Sequence, residues 1–146
     1  MKSIGILGST GSIGTQALEI IKNSNQNFLV DYLYSNSNYK ILYEQILDFS
    51  PNYVCINDKE SYMMLSDLIN ANHNIKTQVI FGVEDSLDFI SDRNVDLALN
   101  AIVGVDGLKP TMHITSIFLF FAYLQISIIF FDVPEQLNII IQSPLS

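Results

Sequence analysis

The sequence predicts a doubly wound α/β fold, which is a parallel β-sheet with helices on both faces. Short apolar runs alternate with longer amphipathic patterns over about the first hundred residues, and this alternation is typical of an open parallel sheet. A glycine-rich turn joins the first apolar run to the first amphipathic pattern. After Lys109 there is no lysine or arginine, and the Ile/Phe/Leu-rich chain has no regular period, so we expect the α/β pattern to end near residue 112.

Five strands and four helices are expected in alternation. The strands are short apolar runs bounded by turn-forming residues, at residues 3–7, 27–34, 53–56, 78–81 and 95–103. The helices have apolar residues at helical spacing, at residues 12–23, 41–49, 61–70 and 85–90. The second helix should end before Pro51, because proline disfavours helical backbone in the preceding residue. Asp58 is placed to cap the third helix.

Two of these helices have an apolar stripe that predicts which side packs on the sheet. In the first helix the stripe is Ile13, Ala17, Ile20 and Ile21, with Leu18 beside it. In the third helix it is Met64, Leu65, Leu68 and Ile69. We expect these residues to contribute to the core.

The composition excludes some classes of function. Seven Lys and Arg against fifteen Asp and Glu give a net charge of −8, which disfavours nucleic-acid binding because that needs basic side chains. A phosphate ligand remains compatible, since helix N-termini bind phosphate through backbone N–H groups. The single cysteine, Cys55, lies in an apolar run and is expected to be buried. The N-terminus reaches Gly5 too early for a signal-peptide core, which favours a cytoplasmic protein.

The turn after the first strand carries a nucleotide-binding signature. Its glycines, Gly8, Gly11 and Gly14, are spaced three apart, a relative of the dinucleotide fingerprint G-x-G-x-x-G. Gly8 would allow a tight turn, Gly11 would let a pyrophosphate approach the backbone, and Gly14 would allow the helix to pack closely on the strand. An ordinary glycine-rich turn is the alternative, but strand, loop and helix all fall in register, which favours nucleotide binding.

Phosphate contacts are expected at the start of the first helix. The hydroxyl groups of Thr10 and Ser12 can donate hydrogen bonds to phosphate oxygens. The N–H groups of residues 11–13 point along the helix dipole towards an anion bound there.

The end of the second strand favours NADP over NAD. NAD sites place Asp or Glu there to hold the ribose 2′-hydroxyl, whereas this tip is Ser35-Asn36-Ser37-Asn38. The nearest carboxylate, Asp31, is inside the strand, and Lys40 follows the tip. A neutral, donor-rich tip suits a 2′-phosphate better than a carboxylate site would, although a solvated Asn/Ser turn remains the alternative.

Four segments of the chain resemble one enzyme family in order and spacing. They are residues 6–18 with the glycine loop, the 35–38 tip, Phe49-Ser50-Pro51, and residues 100–111, Asn-Ala-Ile-Val-Gly-Val-Asp-Gly-Leu-Lys-Pro-Thr. Together they resemble 1-deoxy-D-xylulose 5-phosphate reductoisomerase, the NADPH-dependent enzyme of non-mevalonate isoprenoid biosynthesis. The glycine loop alone is shared with other dehydrogenases, so the combination carries the resemblance.

The resemblance implies that residues 1–112 form a Rossmann-like, NADPH-binding domain. It assigns pyrophosphate binding to Thr10, Gly11, Ser12 and Ile13. It assigns the adenosine-phosphate loop to Asn36, Ser37 and Asn38, where many family members carry Gly-Lys in place of Asn36-Ser37. It places Ala101 and Ile102 on the nicotinamide side. It also implies a homodimer and, in the full-length enzyme, a divalent Mg²⁺ or Mn²⁺ ion.

Residues 113–146 depart from the family pattern. The family carries Ala-Asn-Lys-Glu-Ser and then metal-binding carboxylates after this point, whereas residues 114–125 hold no such motif. The isolated His73 and His113, and the acids Asp132 and Glu135, are too few for a metal site. We therefore expect no catalytic residue and no metal ligand in this chain.

Three interpretations of this tail remain open. Residues 114–131 are slightly short for a transmembrane helix and lack flanking basic residues. A strand and helix that complete the sheet are a second alternative. The favoured alternative is a tail unrelated to the family, produced by a frameshift or an early stop in the gene.

Two other functions are compatible with the pattern. The chain could be a stand-alone or split nucleotide-binding module that pairs with a complementary fragment. It could also be a fragment of another NADP oxidoreductase of the extended short-chain type, but none of its tyrosines is followed by Lys four residues later, which that chemistry would need.

Overall fold

The computed structural model of the chain describes residues 2–24 and 28–102. The strands are β1 (Lys2–Leu7), β2 (Phe28–Ser35), β3 (Tyr53–Ile56), β4 (Gln78–Phe81) and β5 (Leu97–Asn100). The helices are α1 (Ser12–Asn23), α2 (Tyr39–Phe49), α3 (Lys59–Ala71) and α4 (Val83–Ser91). Strands and helices alternate, as the sequence predicted.

The five strands form one parallel sheet in the order β4-β3-β2-β1-β5. The chain runs outwards from β1 to β4 and then crosses back to add β5 on the other side of β1. β1 therefore lies inside the sheet, and the direction of winding reverses between β1 and β5. Open α/β sheets bind ligands at the carboxyl ends of the strands beside such a switch point.

Helices cover both faces of the sheet, which confirms the doubly wound prediction. On one face α1, α2 and α3 contribute Leu18, Leu42, Ile46 and Leu65 to a core with the inward residues of β1, β2 and β3. On the other face α4 contributes Ile90, which packs with Leu7, Tyr32, Tyr34, Cys55 and Ala98. Burial of these side chains is the main contribution to folding stability.

The predicted apolar stripes were partly wrong. α1 faces the sheet through Gly14, Leu18 and Ile21, so Ile20 points away and is 70% exposed. In α3 Leu65 is buried, but Met64 and Leu68 are 45% and 37% exposed. The reason is geometric: a helix lying flat on a sheet buries a narrow stripe, so apolar residues at the margins of that stripe or beyond it stay in contact with water.

Element boundaries agree with the prediction except in a few places. α3 begins at Lys59, two residues earlier than predicted, and the side chain of Asp58 caps it by accepting from the Ser61 N–H at 2.8 Å. β5 is shorter than predicted, because Val95 precedes the strand and Ala101 follows it. Residue 103 of the predicted strand, and the whole tail 113–146, lie outside the described residues.

A bulge in β2 leaves Asp31 without a pairing partner in β1. Ile4 pairs with Val30 and Gly5 pairs with Tyr32, so Asp31 is the extra residue. Its buried carboxylate accepts two hydrogen bonds from the Arg93 Nη2, at 2.7 and 2.8 Å, and one from the Arg93 Nε at 2.9 Å. Asn52 donates a further bond at 2.8 Å. Asp31 therefore joins β2 to the segment that leads into β5.

Tyr32, the residue after the bulge, packs on the face of the sheet that α4 covers. The Tyr32 ring lies over Gly5, where an added Cβ would be 2.0 Å from its Cζ, so glycine is needed at that position. Burial raises the pKa of the Tyr32 hydroxyl far above its ordinary value, and the ring therefore stays neutral.

The amino ends of β1 and β5 are joined by a reciprocal pair of polar residues. The Ser3 N–H and hydroxyl donate to Asp96 Oδ2 at 2.7 and 2.9 Å, and the Asp96 N–H donates to Ser3 Oγ at 3.0 Å. These hydrogen bonds favour the ionised carboxylate and lower the pKa of Asp96 below its ordinary value of 3.8.

The Asp96 pair predicts a defined dependence of stability on pH. Because the folded-state pKa of Asp96 is below the unfolded value, its stabilisation is present above about pH 4 and is lost as the pH falls through the folded pKa. Asp96→Asn should therefore lower the urea midpoint at pH 7 and flatten the decline of stability in acid. The matched control is Asp67→Asn, at an exposed position of α3. It should keep the wild-type dependence of the urea midpoint on pH. Equal profiles for both variants would contradict the role of Asp96.

Candidate dinucleotide-binding site

The glycine loop leaves β1 at the carboxyl edge of the sheet, at the switch point. Gly8 has a positive φ of 73°, which favours glycine. The N–H groups of Gly8 and Ser9 both donate to the Tyr34 carbonyl, at 2.9 and 3.0 Å. The loop is thereby attached to the end of β2 before it turns into α1. This confirms the turn predicted at Gly8.

The same loop lies directly against the exit of β5. A Cβ added to Gly8 would be 2.9 Å from the carbonyl carbon and oxygen of Ala101, and the Ala101 N–H donates to the Leu7 carbonyl at 2.8 Å. The Ile102 N–H is held by the Asn100 side chain at 3.1 Å. The structure therefore brings Ala101 and Ile102 next to the glycine loop.

Gly14 has a different neighbour from the one the sequence suggested. A Cβ there would be 2.3 Å from the Gly8 carbonyl oxygen and 2.6 Å from the Ser9 Cα. The close contact is thus between the helix and the loop backbone, rather than between the helix and the strand. Both partners are main chain, which cannot rotate away as a side chain could, so the contact requires glycine.

Gly11 is the N-cap of α1 and borders open space. An added Cβ would approach only the Gly8 oxygen, at 3.3 Å. The Gly11 N–H donates to the Gly8 carbonyl at 3.0 Å, so it is not the free donor that the sequence had suggested. What Gly11 offers a ligand is the open space beside it. The N–H groups of Ser12 and Ile13, in the first turn of α1, have no intrahelical acceptor. No acidic residue lies in this turn, which leaves the positive end of the helix dipole available to an anion.

The tip after β2 lies beside the glycine loop. Asn36, Ser37 and Lys40 are exposed. The Asn36 carbonyl accepts from the N–H groups of Asn57 and Asp58, at 3.1 and 2.9 Å, which fixes the tip to the end of β3. The Asn38 side-chain oxygen accepts from the Ile41 N–H at 3.3 Å and caps α2.

No carboxylate from β2 reaches this tip. Asp31 is inside the strand, as expected, and its side chain is only 6% exposed in the ion pair with Arg93. The Arg93 guanidinium also lies over the Tyr53 ring, 4.5 Å from its centroid. The sequence had placed Asp31 inside the strand, away from the tip, and the pairing with Arg93 holds it there.

Three polar contacts of the site were not predicted. The buried Gln45 on α2 donates from Nε2 to the Ser9 carbonyl at 2.8 Å. Asn57 donates to the Tyr34 hydroxyl at 2.6 Å. The hydroxyl groups of Thr10 and Ser35 are 2.8 Å apart. Of the three, only the Gln45 contact could have been suspected from the sequence, because Gln45 is a polar residue on the apolar stripe of its helix. The other two contacts depend on which strands are neighbours.

Other candidate chemistry is not assembled in the described ranges. Within residues 2–24 and 28–102, no three His, Cys, Asp or Glu side chains are grouped so that they could hold a metal ion. His73 is exposed, whereas His113, Asp132 and Glu135 lie outside those ranges.

Burial raises the pKa of the Cys55 thiol to about 12, which keeps it protonated. None of the helices in the described part could span a membrane, and the predicted alternative at 114–131 lies outside it.

A groove lies at the opposite edge of the sheet from the glycine loop. It encloses about 480 Å³ and is lined by residues at the amino ends of β3 and β4, among them Asn52, Asn72, Lys76 and Thr77. Ligands of open α/β sheets bind at the carboxyl ends of the strands. The helix N-terminus and the glycine loop both lie at that carboxyl edge.

Comparison with known proteins identifies the family. Residues 4–117 match the sequence profile of 1-deoxy-D-xylulose 5-phosphate reductoisomerase. The chain belongs to this family. It is 39% identical over 113 residues to the 1-deoxy-D-xylulose 5-phosphate reductoisomerase of Clostridium perfringens, which covers 77% of this chain and 29% of that protein. The enzyme of Clostridium novyi is 38% identical over the same length. The chain thus spans under a third of these reductoisomerases.

Solved reductoisomerase structures share the fold. A DOX-P reductoisomerase crystallised with NADPH, fosmidomycin and magnesium matches 79% of this chain and 28% of its own, at 30% identity and a TM-score of 0.71. The reductoisomerase of Zymomonas mobilis in complex with NADPH matches 77% of this chain and 28% of its own, at 27% identity and a TM-score of 0.68. These matches confirm the Rossmann-like fold and the resemblance drawn from the sequence.

The different surroundings of Gly11 and Gly14 predict different effects of the same substitution. Gly14→Ser should destabilise the chain by about 1–3 kcal/mol, because its Cβ would overlap loop backbone. Gly11→Ser should change stability by less than about 1 kcal/mol, since serine is a good N-cap and the space beside it is open. Urea unfolding followed by circular dichroism measures both. Equal losses would show that the loop is packed differently from this structure.

Proposed function

We propose that residues 1–112 are the NADPH-binding part of a 1-deoxy-D-xylulose 5-phosphate reductoisomerase. The observation that carries the proposal is the placement of the glycine loop at the switch point. There the free N–H groups of Ser12 and Ile13 and the open side of Gly11 face the same edge as the exits of β2 and β5.

This geometry supports an extended dinucleotide across the edge of the sheet. The glycine loop lies between the β2 tip and the β5 exit, so a pyrophosphate on Thr10, Gly11, Ser12 and Ile13 leaves the two nucleosides on opposite sides. We assign the adenosine side to Asn36, Ser37 and Asn38. The nicotinamide side falls to Ala101 and Ile102. Of the adenosine-side residues, Asn36 and Ser37 have exposed side chains for the ligand, while Asn38 orders the tip by capping α2.

In the family reaction 1-deoxy-D-xylulose 5-phosphate is rearranged and reduced to 2-C-methyl-D-erythritol 4-phosphate, and NADPH supplies the hydride. The described residues would bind and orient this cofactor. They offer phosphate its preferred partners, which are backbone N–H groups at a helix start and hydroxyl donors. We assign no catalytic residue and no Mg²⁺ or Mn²⁺ ligand to them.

Location and assembly follow from the same assignment. Membership of a biosynthetic enzyme family supports a cytoplasmic protein. Family membership supports a homodimer of the complete enzyme.

The absence of a carboxylate at the β2 tip predicts cofactor preference. We expect the chain to bind NADPH more tightly than NADH, because Asn36, Ser37 and Lys40 can donate to a 2′-phosphate and Asp31 is held by Arg93. Titration by calorimetry or nicotinamide fluorescence measures both affinities. Gly11→Val should abolish binding of both cofactors, since the branched side chain would occupy the place of the pyrophosphate. Equal or reversed affinities in the unmodified chain would refute the proposed preference.

The 146-residue chain is expected to have no reductoisomerase activity with NADPH, substrate and Mg²⁺ or Mn²⁺. Orienting the reactants accounts for roughly 7–11 kcal/mol of barrier lowering in such reactions, and most of the length of the relatives has no counterpart here. Substrate-dependent NADPH oxidation, followed by absorbance, tests this expectation. Activity of the isolated chain would contradict it. Activity that appears only with a complementary fragment would favour a split enzyme.

A further inference from the structure

A pair of hydroxyl groups connects the glycine loop to the strand beside it. Thr10 Oγ1 in the loop and Ser35 Oγ at the end of β2 are 2.8 Å apart, and either atom could donate in that geometry. The position of Ser35 is fixed by the ladder, because it pairs with Ile56 of β3. The pair thus joins the residue proposed to contact phosphate to a rigid part of the sheet.

Burial decides which hydroxyl donates. Ser35 is 1% exposed, so water cannot accept its proton, and buried donors are almost always paired. Within the described residues, its side-chain hydrogen bond is the one with Thr10. Thr10 is only half-buried and can direct its own proton towards solvent. Burial therefore favours the Ser35 hydroxyl as the donor to Thr10 Oγ1, which leaves the Thr10 proton for an external acceptor.

We propose that Ser35 is a positioning residue that orients the Thr10 hydroxyl as a donor to the dinucleotide pyrophosphate. This inference rests on the proposed NADPH-binding function. Ionised phosphate oxygens only accept hydrogen bonds, so Thr10 helps binding only when its proton points to the ligand. By occupying one lone pair of Thr10 Oγ1, Ser35 restricts rotation of that hydroxyl before the ligand arrives, which lowers the entropic cost of binding.

The test compares two ligands that differ at the pyrophosphate. NADPH carries the pyrophosphate, whereas adenosine 2′-monophosphate carries only the adenosine side. Ser35→Ala and Thr10→Val should each weaken NADPH binding by about tenfold to a hundredfold, as expected for one hydrogen bond to a charged group. Neither substitution should change the affinity for adenosine 2′-monophosphate by more than about twofold. Thr10→Ser, which keeps the hydroxyl, should retain most of the NADPH affinity.

A double-mutant cycle distinguishes orientation from independent contacts. Because Ser35 acts through Thr10, Ser35→Ala with Thr10→Val should bind NADPH no more weakly than Thr10→Val alone. Thr10→Val leaves the buried Ser35 hydroxyl unpaired, which can prevent folding. In that case Ser35→Ala, rather than Thr10→Val, is compared with the double variant. In that pair no hydroxyl is buried alone, and adding Thr10→Val should weaken NADPH binding by less than the roughly tenfold expected in the unmodified chain, because without Ser35 the Thr10 hydroxyl is no longer oriented.

Three results would overturn the inference. Wild-type NADPH affinity in Ser35→Ala would show that the pair does not matter for binding. Equal weakening of NADPH and adenosine 2′-monophosphate would show that Ser35 only stabilises the fold. Additive losses in the double variant would show that Ser35 does not act through Thr10. An unmodified chain that binds neither ligand would instead refute the nucleotide-binding function itself, and the role of Ser35 with it.

Discussion

The fold depends on the close approach of two pieces of backbone at the end of β1. The loop after Leu7 turns back so tightly that the Gly8 carbonyl and the Ser9 Cα lie where a side chain on Gly14 would be, and Gly8 itself lies against Ala101. This contact places the first turn of α1 directly above the switch point between β1 and β5. The first-turn N–H groups of α1, which have no acceptor within the helix, consequently lie at the edge at which three neighbouring strands end.

The proposed pyrophosphate position is built from neutral groups on a strongly acidic chain. The net charge is −8, yet the groups at the proposed pyrophosphate position are backbone N–H groups and hydroxyls, with no acid in the first turn of α1. The one carboxylate of β2, Asp31, is neutralised by Arg93 away from the edge. The same ion pair therefore has two effects: it fastens β2 to the segment before β5, and it removes a negative charge that would repel a 2′-phosphate.

Local patterns predicted much of the fold but not the long-range polar contacts, two of which complete the site. The strands and α1 followed from apolar runs and helical spacing, and the turn at Gly8 followed from its glycine. The pairs Gln45–Ser9, Ser35–Thr10 and Ser3–Asp96 are separated by 36, 25 and 93 residues, and such pairings depend on strand order, which periodicity does not encode. Likewise the sequence showed that Ile20 is apolar but not that α1 turns it to water.

The most direct test of the central claim is to map the backbone amides that respond to NADPH. The ¹⁵N-labelled 146-residue chain would be titrated and its amide shifts recorded by NMR. If NADPH binds at the carboxyl edge of the sheet, the largest changes are expected at Ser12 and Ile13, with smaller ones at the 36–38 tip and at Ala101, because these residues line that edge. Changes centred instead on the groove at Asn52 and Thr77, at the amino edge, would contradict it.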